Sequence, residues 1–307
     1  MKQLKKILFP TDFSRCANQA LSRAWDLATF HEAELHMLHA LVLHEGDPYS
    51  PIHHVADVDG MAAQLRQNAW DQMDAIIKSY NPKKIKVVKA QERGISPAPA
   101  ILNYGSDNDI DLVVMGTHGR RGLGHLFLGS VAEEVVRHAG CPVLTIREQK
   151  DPKPAEKVSH ILVPIDFSKY ATVALANAKE LAAFYDAKLQ LLHVIEETVH
   201  PAFYATGRLS IFELLPDIRD KSQQAMADLM QTTEGPSVPF DTAVVEGRAS
   251  HDIVEFAAQS GSDLIVISTH GLTGLEHLLL GSVAEKVARM APCPVLTLKA
   301  FGKDLIN

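Results

Sequence analysis

Two stretches of this sequence place glycines where a backbone could hold phosphate. Residues 115–135 read MGTHGRRGLGHLFLGSVAEEV, and residues 267–287 read ISTHGLTGLEHLLLGSVAEKV. In the first, Gly116, His118 and Gly119 are followed, after nine intervening residues, by Gly129, Ser130 and Val131, which open a segment of helical spacing. Glycines permit positive φ and let a backbone approach a ligand. A helix start offers free N–H groups and the positive end of a dipole to an anion. Arg120 and Arg121 lie on the same loop, where two guanidiniums would strengthen the binding of a polyphosphate. Read alone, the glycines could be plain turn residues and the arginines a solvated pair; the duplication of the whole pattern weighs against that.

The second copy matches the first at 14 of 21 positions without a gap, at an offset of 152 residues. It keeps His270, Gly271, Gly281, Ser282 and Val283. It has Ser268 for Gly116, Leu272 and Thr273 for the two arginines, and Glu276 for Gly124. A Cβ and hydroxyl at position 268 would fall where the backbone should lie near a ligand, so the first site is expected to suit a nucleotide and the second to be compromised.

A carboxylate accompanies each loop. Pro10-Thr11-Asp12 and Pro164-Ile165-Asp166 each follow an apolar strand. Asp before Phe-Ser and a helical run reads as a helix N-cap; at the carboxyl end of a strand it equally reads as an acceptor for ribose hydroxyls or a base amino group. Fifteen histidines invite a zinc reading. However, His36 and His39 fall on opposite faces of a strand, and His39 recurs as His193, which points to a shared packing or hydrogen-bonding role. Cys16, Cys141 and Cys293 lack CxxC spacing and read as buried small hydrophobes, with no metal set assigned. Trp25, Trp70 and Phe30 read as helix-face packing.

These residues need strands and helices to position them. KKILFP, AELHMLHAL, KIKVVKA, DLVVMG and CPVLTI read as strands. Residues 17–31, 62–80 and 129–139 place apolar side chains at helical spacing. Alternation of the two predicts a doubly wound parallel α/β sheet, whose ligands bind beyond the carboxyl ends of the strands. The pattern recurs: KKILFPTDFS at residue 5 matches SHILVPIDFS at 159, and CPVLTI at 141 matches CPVLTL at 293. Two domains follow, 1–148 and 159–307, joined by a charged linker at 149–158 with two prolines. Segments 42–60 and 196–220 are dissimilar between the halves and read as long loops that set ligand or partner specificity.

Composition agrees with a soluble, cytoplasmic chain of two domains. Its 307 residues carry a net charge of −7, which argues against nucleic acid as a partner, and no apolar run suggests a membrane span. Residues 1–150 hold 17 basic and 17 acidic side chains, and 151–307 hold 13 and 20, so the second half carries the acidity.

Neither a Walker A loop nor the dinucleotide GxGxxG is present. Instead, Asp after the first strand with G-x2-G-x9-G-S after the fourth resembles the ATP-binding pattern of the universal stress protein family, in its tandem bacterial form. The resemblance implies two five-stranded domains related to the adenine nucleotide α-hydrolases, with ATP, alone or with Mg2+, as cofactor. Carried over by position, Asp12 would hold the adenosine part with Pro10 and Thr11 beside it. Ala40 and Met115 would line the adenine pocket, and Gly116, His118 and Gly119 would approach ribose and phosphates. Gly129, Ser130 and Val131 would bind the phosphates. The second half offers Asp166, Val194, Ile267, His270, Gly271, Gly281, Ser282 and Val283. The resemblance also implies a regulatory stress-response module read by another protein, with the halves packed as a pseudo-dimer through CPVLTI and CPVLTL, and further self-association into a homodimer of chains. Rival readings are a scaffold with degenerate sites and a slow ATPase or nucleotidyl-transfer enzyme. Against the enzyme, no Asp/Glu pair or lysine adjoins the phosphate loops, and His118 and Asp12 are the nearby acid–base candidates, so no catalytic residue is assigned.

Overall fold

A computed structural model describes residues 4–42, 58–80, 85–119, 128–149, 158–196, 211–270, 281–299, 303 and 305. The chain divides into two compact units, Gln3–Ala155 and Glu156–Asn307. In the N-terminal unit the order is β1 (Lys6–Pro10), α1 (Arg15–His31), β2 (Glu34–Val42), α2 (Val58–Ser79), β3 (Val87–Gly94), α3 (Pro97–Asp107), β4 (Leu112–Gly116), α4 (Ser130–His138) and β5 (Val143–Ile146). The strands run in the spatial order β3-β2-β1-β4-β5, each pair parallel. That is the predicted doubly wound sheet, with its switch point between β1 and β4.

The C-terminal unit repeats the plan. It runs β6 (His160–Pro164), α5 (Lys169–Tyr185), β7 (Lys188–Glu196), α6 (Ile211–Leu214), α7 (Ile218–Thr232), β8 (Phe240–Gly247), α8 (Ala249–Ser260), β9 (Leu264–Ser268), α9 (Ser282–Met290) and β10 (Val295–Leu298). Its sheet order is β8-β7-β6-β9-β10, again parallel.

Burial explains why these segments take these forms. Ile7, Leu8 and Phe9 of β1 are fully buried, as a central strand covered on both faces must be. Against them α1 turns a face of Ala17, Ala20, Leu21, Ala24 and Ala28, whose small side chains let the helix lie close to the sheet. Both first helices end on a non-glycine residue in the left-handed region, Glu32 (φ 54°) and Asp186 (φ 54°).

Sequence and structure differ at several elements. α3 lies outside every predicted helix, because PAPAILNYGSD carries two prolines and a glycine. Its Pro97 falls in the first turn, where a missing N–H costs nothing. β3 begins and ends later than KIKVVKA. The long loops are shorter than predicted: α2 begins at Val58, and α6 and the start of α7 fall within 196–220, while 43–57 and 197–210 lie outside the described residues. Trp25 packs as expected, tilted on Tyr80 at 4.6 Å between ring centroids, and Trp70 lies under the ammonium of Lys89. Phe30, by contrast, is 59% exposed, with its ring edge-on to His31 at 5.6 Å between centroids.

Candidate functional site

The loop after β1 is built from its own side chains. Thr11 continues the strand, its N–H donating to Leu38 O at 2.8 Å. Asp12 Oδ1 then accepts from the N–H of Ser14 at 3.0 Å, and Phe13 between them sits at φ 63°. Ser14, not Asp12, caps α1, its hydroxyl accepting from Ala17 N. The N-cap reading of Asp12 is thereby corrected: it forms an Asx turn one step earlier. Asp166 does the same, accepting from Ser168 N at 3.0 Å and Ser168 Oγ at 2.6 Å, with Phe167 at φ 61°. A bulky residue in the left-handed region is strained, by about 1–3 kcal/mol, and both halves keep it at the same place.

A histidine holds that strained turn. His39 Nδ1 lies 2.8 Å from Thr11 O, and His193 Nδ1 lies 2.7 Å from Ile165 O. A carbonyl only accepts, so Nδ1 carries the hydrogen in both. The rings lie against Phe13 and Phe167, at 4.8 and 4.7 Å between centroids. The shared role expected of His39 and His193 is therefore to pin the Asp-Phe-Ser turn to the strand.

The loop after β4 meets this turn from above. A Cβ on Gly119 would stand 2.6 Å from Asp12 Oδ2, so the glycine permits the backbone to pass directly over the carboxylate. Gly129 N donates to Thr117 O at 2.8 Å, and a Cβ on Gly129 would come within 3.0 Å of that oxygen. Gly281 repeats both relationships with Thr269. Gly129 has φ −61° and Gly281 φ −58°, and the positive-φ glycines among the described residues are Gly235, Gly247 and Gly261. At Gly119, Gly129 and Gly281 the reason for glycine is thus close approach rather than positive φ, the two properties read from sequence. With glycine as N-cap, α4 and α9 begin without a side-chain cap, which leaves Ser130 and Val131, and Ser282 and Val283, in a first turn suited to an anion.

Gly116 departs from its expected role. A Cβ there would stand 2.7 Å from Cys16 Sγ, so its missing side chain makes room for α1 and not for a ligand. In the second half the partner at the Cys16 position is Tyr170, whose ring turns toward His270 at 5.6 Å between centroids. Ser268 fits there, its hydroxyl donating to His270 O at 2.6 Å and accepting from His270 N at 3.1 Å. Ser268 thus lines the strand-end cavity of the C-terminal unit with its hydroxyl folded onto its own loop.

A cavity of about 430 Å3 opens at the carboxyl ends of these strands in the C-terminal unit. Asp166, His193, Val194, Ile267, His270, Gly281, Ser282 and Val283 line it, joined by Glu196 at the end of β7 and Ala249 and Ile253 of α8. Sequence reasoning missed the last three. The signal for Glu196 was its register, where the first half has Val42; α8, like α3, lay outside the predicted helices. Burial, then Lys299, lowers the His270 imidazole below its ordinary range. In the N-terminal unit Ala40 and Met115 occupy the equivalent places on β2 and β4, and Pro10 closes β1. Arg120, Arg121 and Gly271 lie outside the described residues. The three cysteines are buried thiols outside any disulfide, as read from sequence. His251, Asp252 and Glu255 cluster at the start of α8, their ligand atoms within 4.8 Å of one another, but His251 is exposed and Asp252 already accepts from Arg248 N.

Among the described residues no helix is long and apolar enough to cross a membrane. The sequence matches the Universal stress protein family twice, over residues 3–147 and 157–299. A universal stress protein of Methanocaldococcus jannaschii is 35% identical over 144 residues, 47% of this chain and 84% of that one. One of Mycobacterium tuberculosis is 31% identical over 215 residues, 68% of each chain. The crystal structure of a universal stress protein from Archaeoglobus fulgidus is 20% identical with a TM-score of 0.63, covering 97% of this chain and 99% of that one, and so shares the fold. With the family's sequence matched across both halves and its fold recovered along nearly the full length, the chain belongs to the universal stress protein family and carries its domain twice.

Proposed function

We propose that this universal stress protein is a cytoplasmic ATP-binding regulatory module, with ATP held in the N-terminal domain and its occupancy read by another protein. The observation that carries the reading is the passage of Gly119 over Asp12 Oδ2 beside the uncapped start of α4. That arrangement offers a carboxylate for ribose hydroxyls, a bare backbone for close approach and an anion site within one cleft. Arg120 and Arg121 supply the charge a triphosphate requires, on the sequence between Gly119 and Gly129. Ala40 and Met115 form the apolar bed for adenine, and His118 faces the phosphates. Binding of ATP changes the surface around the site, and that change is what the partner recognises.

The test is to denature protein purified without added nucleotide, identify any released ligand, and titrate ATP by calorimetry into the parent and into Gly119→Ala. ATP binding in the parent that weakens at least about tenfold in the variant supports the reading. Absence of any nucleotide binding by a folded parent would remove it.

A further inference from the structure

We propose that the cavity of the C-terminal unit takes a nucleoside or a nucleoside monophosphate and rejects the triphosphate, so that one chain holds two nucleotides of different charge. The inference rests on the nucleotide reading above and specifies it for the second half. The cavity is built for a ligand of that size. Val194 and Ile267 form an apolar wall, Asp166 stands where a ribose would lie, and the first turn of α9 at Ser282 offers N–H groups to one anionic group.

Charge decides how many phosphates such a cavity tolerates. Its described lining holds two carboxylates, Asp166 and Glu196, and no lysine or arginine. Glu196 is held in place, its Oε1 accepting from Ala249 N at 2.9 Å, and its counterpart in the first half is Val42. Residues 271–280, which join His270 to Gly281, contain Glu276 and no basic side chain, where the first half has Arg120 and Arg121. Relative to the first half, the second has therefore lost two positive charges and gained two negative ones. The cation that bears on His270 is Lys299, but Arg147 occupies the same place in the first half, so it does not restore the balance. A triphosphate carries about two more negative charges than a monophosphate, and repulsion from the Asp166 and Glu196 carboxylates that line the cavity changes affinity by about tenfold or more. His270 adds no positive charge near neutral pH, since burial keeps it neutral.

The experiment uses the full chain. Adenosine, AMP and ATP are titrated by calorimetry at low salt into the parent, into Val194→Trp, which fills the second cavity from β7, and into Glu196→Gln, which keeps an acceptor for Ala249 N but removes the charge. Circular dichroism checks that each variant folds. The expected result is an AMP or adenosine site lost in Val194→Trp, weak ATP binding at that site, and an ATP gain of about threefold to tenfold in Glu196→Gln that shrinks at high salt. ATP binding at the Val194-sensitive site as tightly as AMP, unchanged by Glu196→Gln, would overturn the proposal. Binding of ATP that Val194→Trp leaves intact, with no adenosine or AMP site at all, would overturn it while leaving the N-terminal ATP reading standing. Failure of every nucleotide to bind would remove both.

Discussion

The sulfur of Cys16 fills the space in which a side chain on Gly116 would begin, with a Cβ there only 2.7 Å from Sγ, 3.2 Å from the Cys16 carbonyl carbon and 3.3 Å from Ala17 N. The first turn of α1 is therefore seated on β4 by a glycine, and position 116 is coupled to position 16 before it is coupled to any ligand.

That coupling predicts a double-mutant cycle. Gly116→Ser, which mimics the second half, is expected to destabilise the N-terminal unit by about 1–3 kcal/mol through overpacking against the thiol. In a Cys16→Ala background the cost should fall without vanishing, because the backbone contacts to Cys16 and Ala17 remain. Urea unfolding of the four proteins gives the interaction energy; an equal cost in both backgrounds would show that the thiol is not what Gly116 accommodates.

Asp12 can be divided into its two roles. Asp12→Asn keeps an oxygen for Ser14 N and so should unfold close to the parent, whereas Asp12→Ala loses the turn and about 1 kcal/mol. Both should weaken ATP by about tenfold if the carboxylate meets the ligand. Parallel loss of binding and stability across the two variants would instead make Asp12 a turn residue alone.

How much of this was legible in advance follows the range of the interaction. The strands, the first helices and the repeat were readable because apolar spacing and a 152–154 residue offset are written along the chain. That Asp12, Gly119 and Gly129 come together was readable, since they follow strands that the sheet order makes neighbours. What could not be read was the reason for each residue. Gly116 answers to Cys16, a hundred residues away, and Ser268 bonds its hydroxyl to the backbone of His270. Nothing local to the first glycine loop carries the contact with Cys16. α3 and α8 were hidden for a nearer reason: their first turns hold prolines or an Asp that caps its own helix, which masks the helical period.

Lys179 gives a prediction about the second half alone. It is 5% exposed, and its ammonium donates to Met230 O at 3.2 Å and Thr233 O at 2.6 Å, closing the end of α7. Gly235 turns beside it at φ 127°, a conformation that a side chain would strain. The first half has Trp25 at the equivalent position, packed on Tyr80. Lys179→Met should leave two helix-end carbonyls without their donor and cost about 2–3 kcal/mol. Hydrogen exchange should show the loss in α7 first; exchange rates unchanged there would mean that the ammonium does not hold the helix end.

The thiols should be inert while the protein is folded. Burial raises Cys16 above the ordinary thiol range and, with Asp263 nearby, pushes Cys293 up to about 12. Near pH 8 almost none of the Cys293 sulfur is thiolate, which is the reactive form. Iodoacetamide should therefore label all three cysteines only on denaturation. Rapid labelling of the native chain, mapped to Cys16 or Cys293, would contradict their burial.

Acid should weaken the N-terminal unit through His31. Burial at the end of α1 pushes its imidazole down to about 4 from an ordinary value of 6.5. Folding thus favours the neutral ring, and the unfolded chain takes up the proton first as pH falls. The sign follows: stability is fully present above about pH 6.5, declines as pH drops through the window between the two values, and the loss is complete below about 4. Its size is about 2–3 kcal/mol, enough to dominate a small domain's response to mild acid. His36 shifts the same way, because its burial outweighs the attraction of Glu34, so it adds to the slope and sets a background that His31 variants retain. His31→Phe removes the titrating group and should flatten the urea midpoint between about pH 6.5 and 4.5 by most of that amount, with little change near pH 7.5. If the midpoint of His31→Phe falls with pH as steeply as that of the parent, the ring takes up its proton alike in the folded and unfolded chains, and the acid response belongs to other groups.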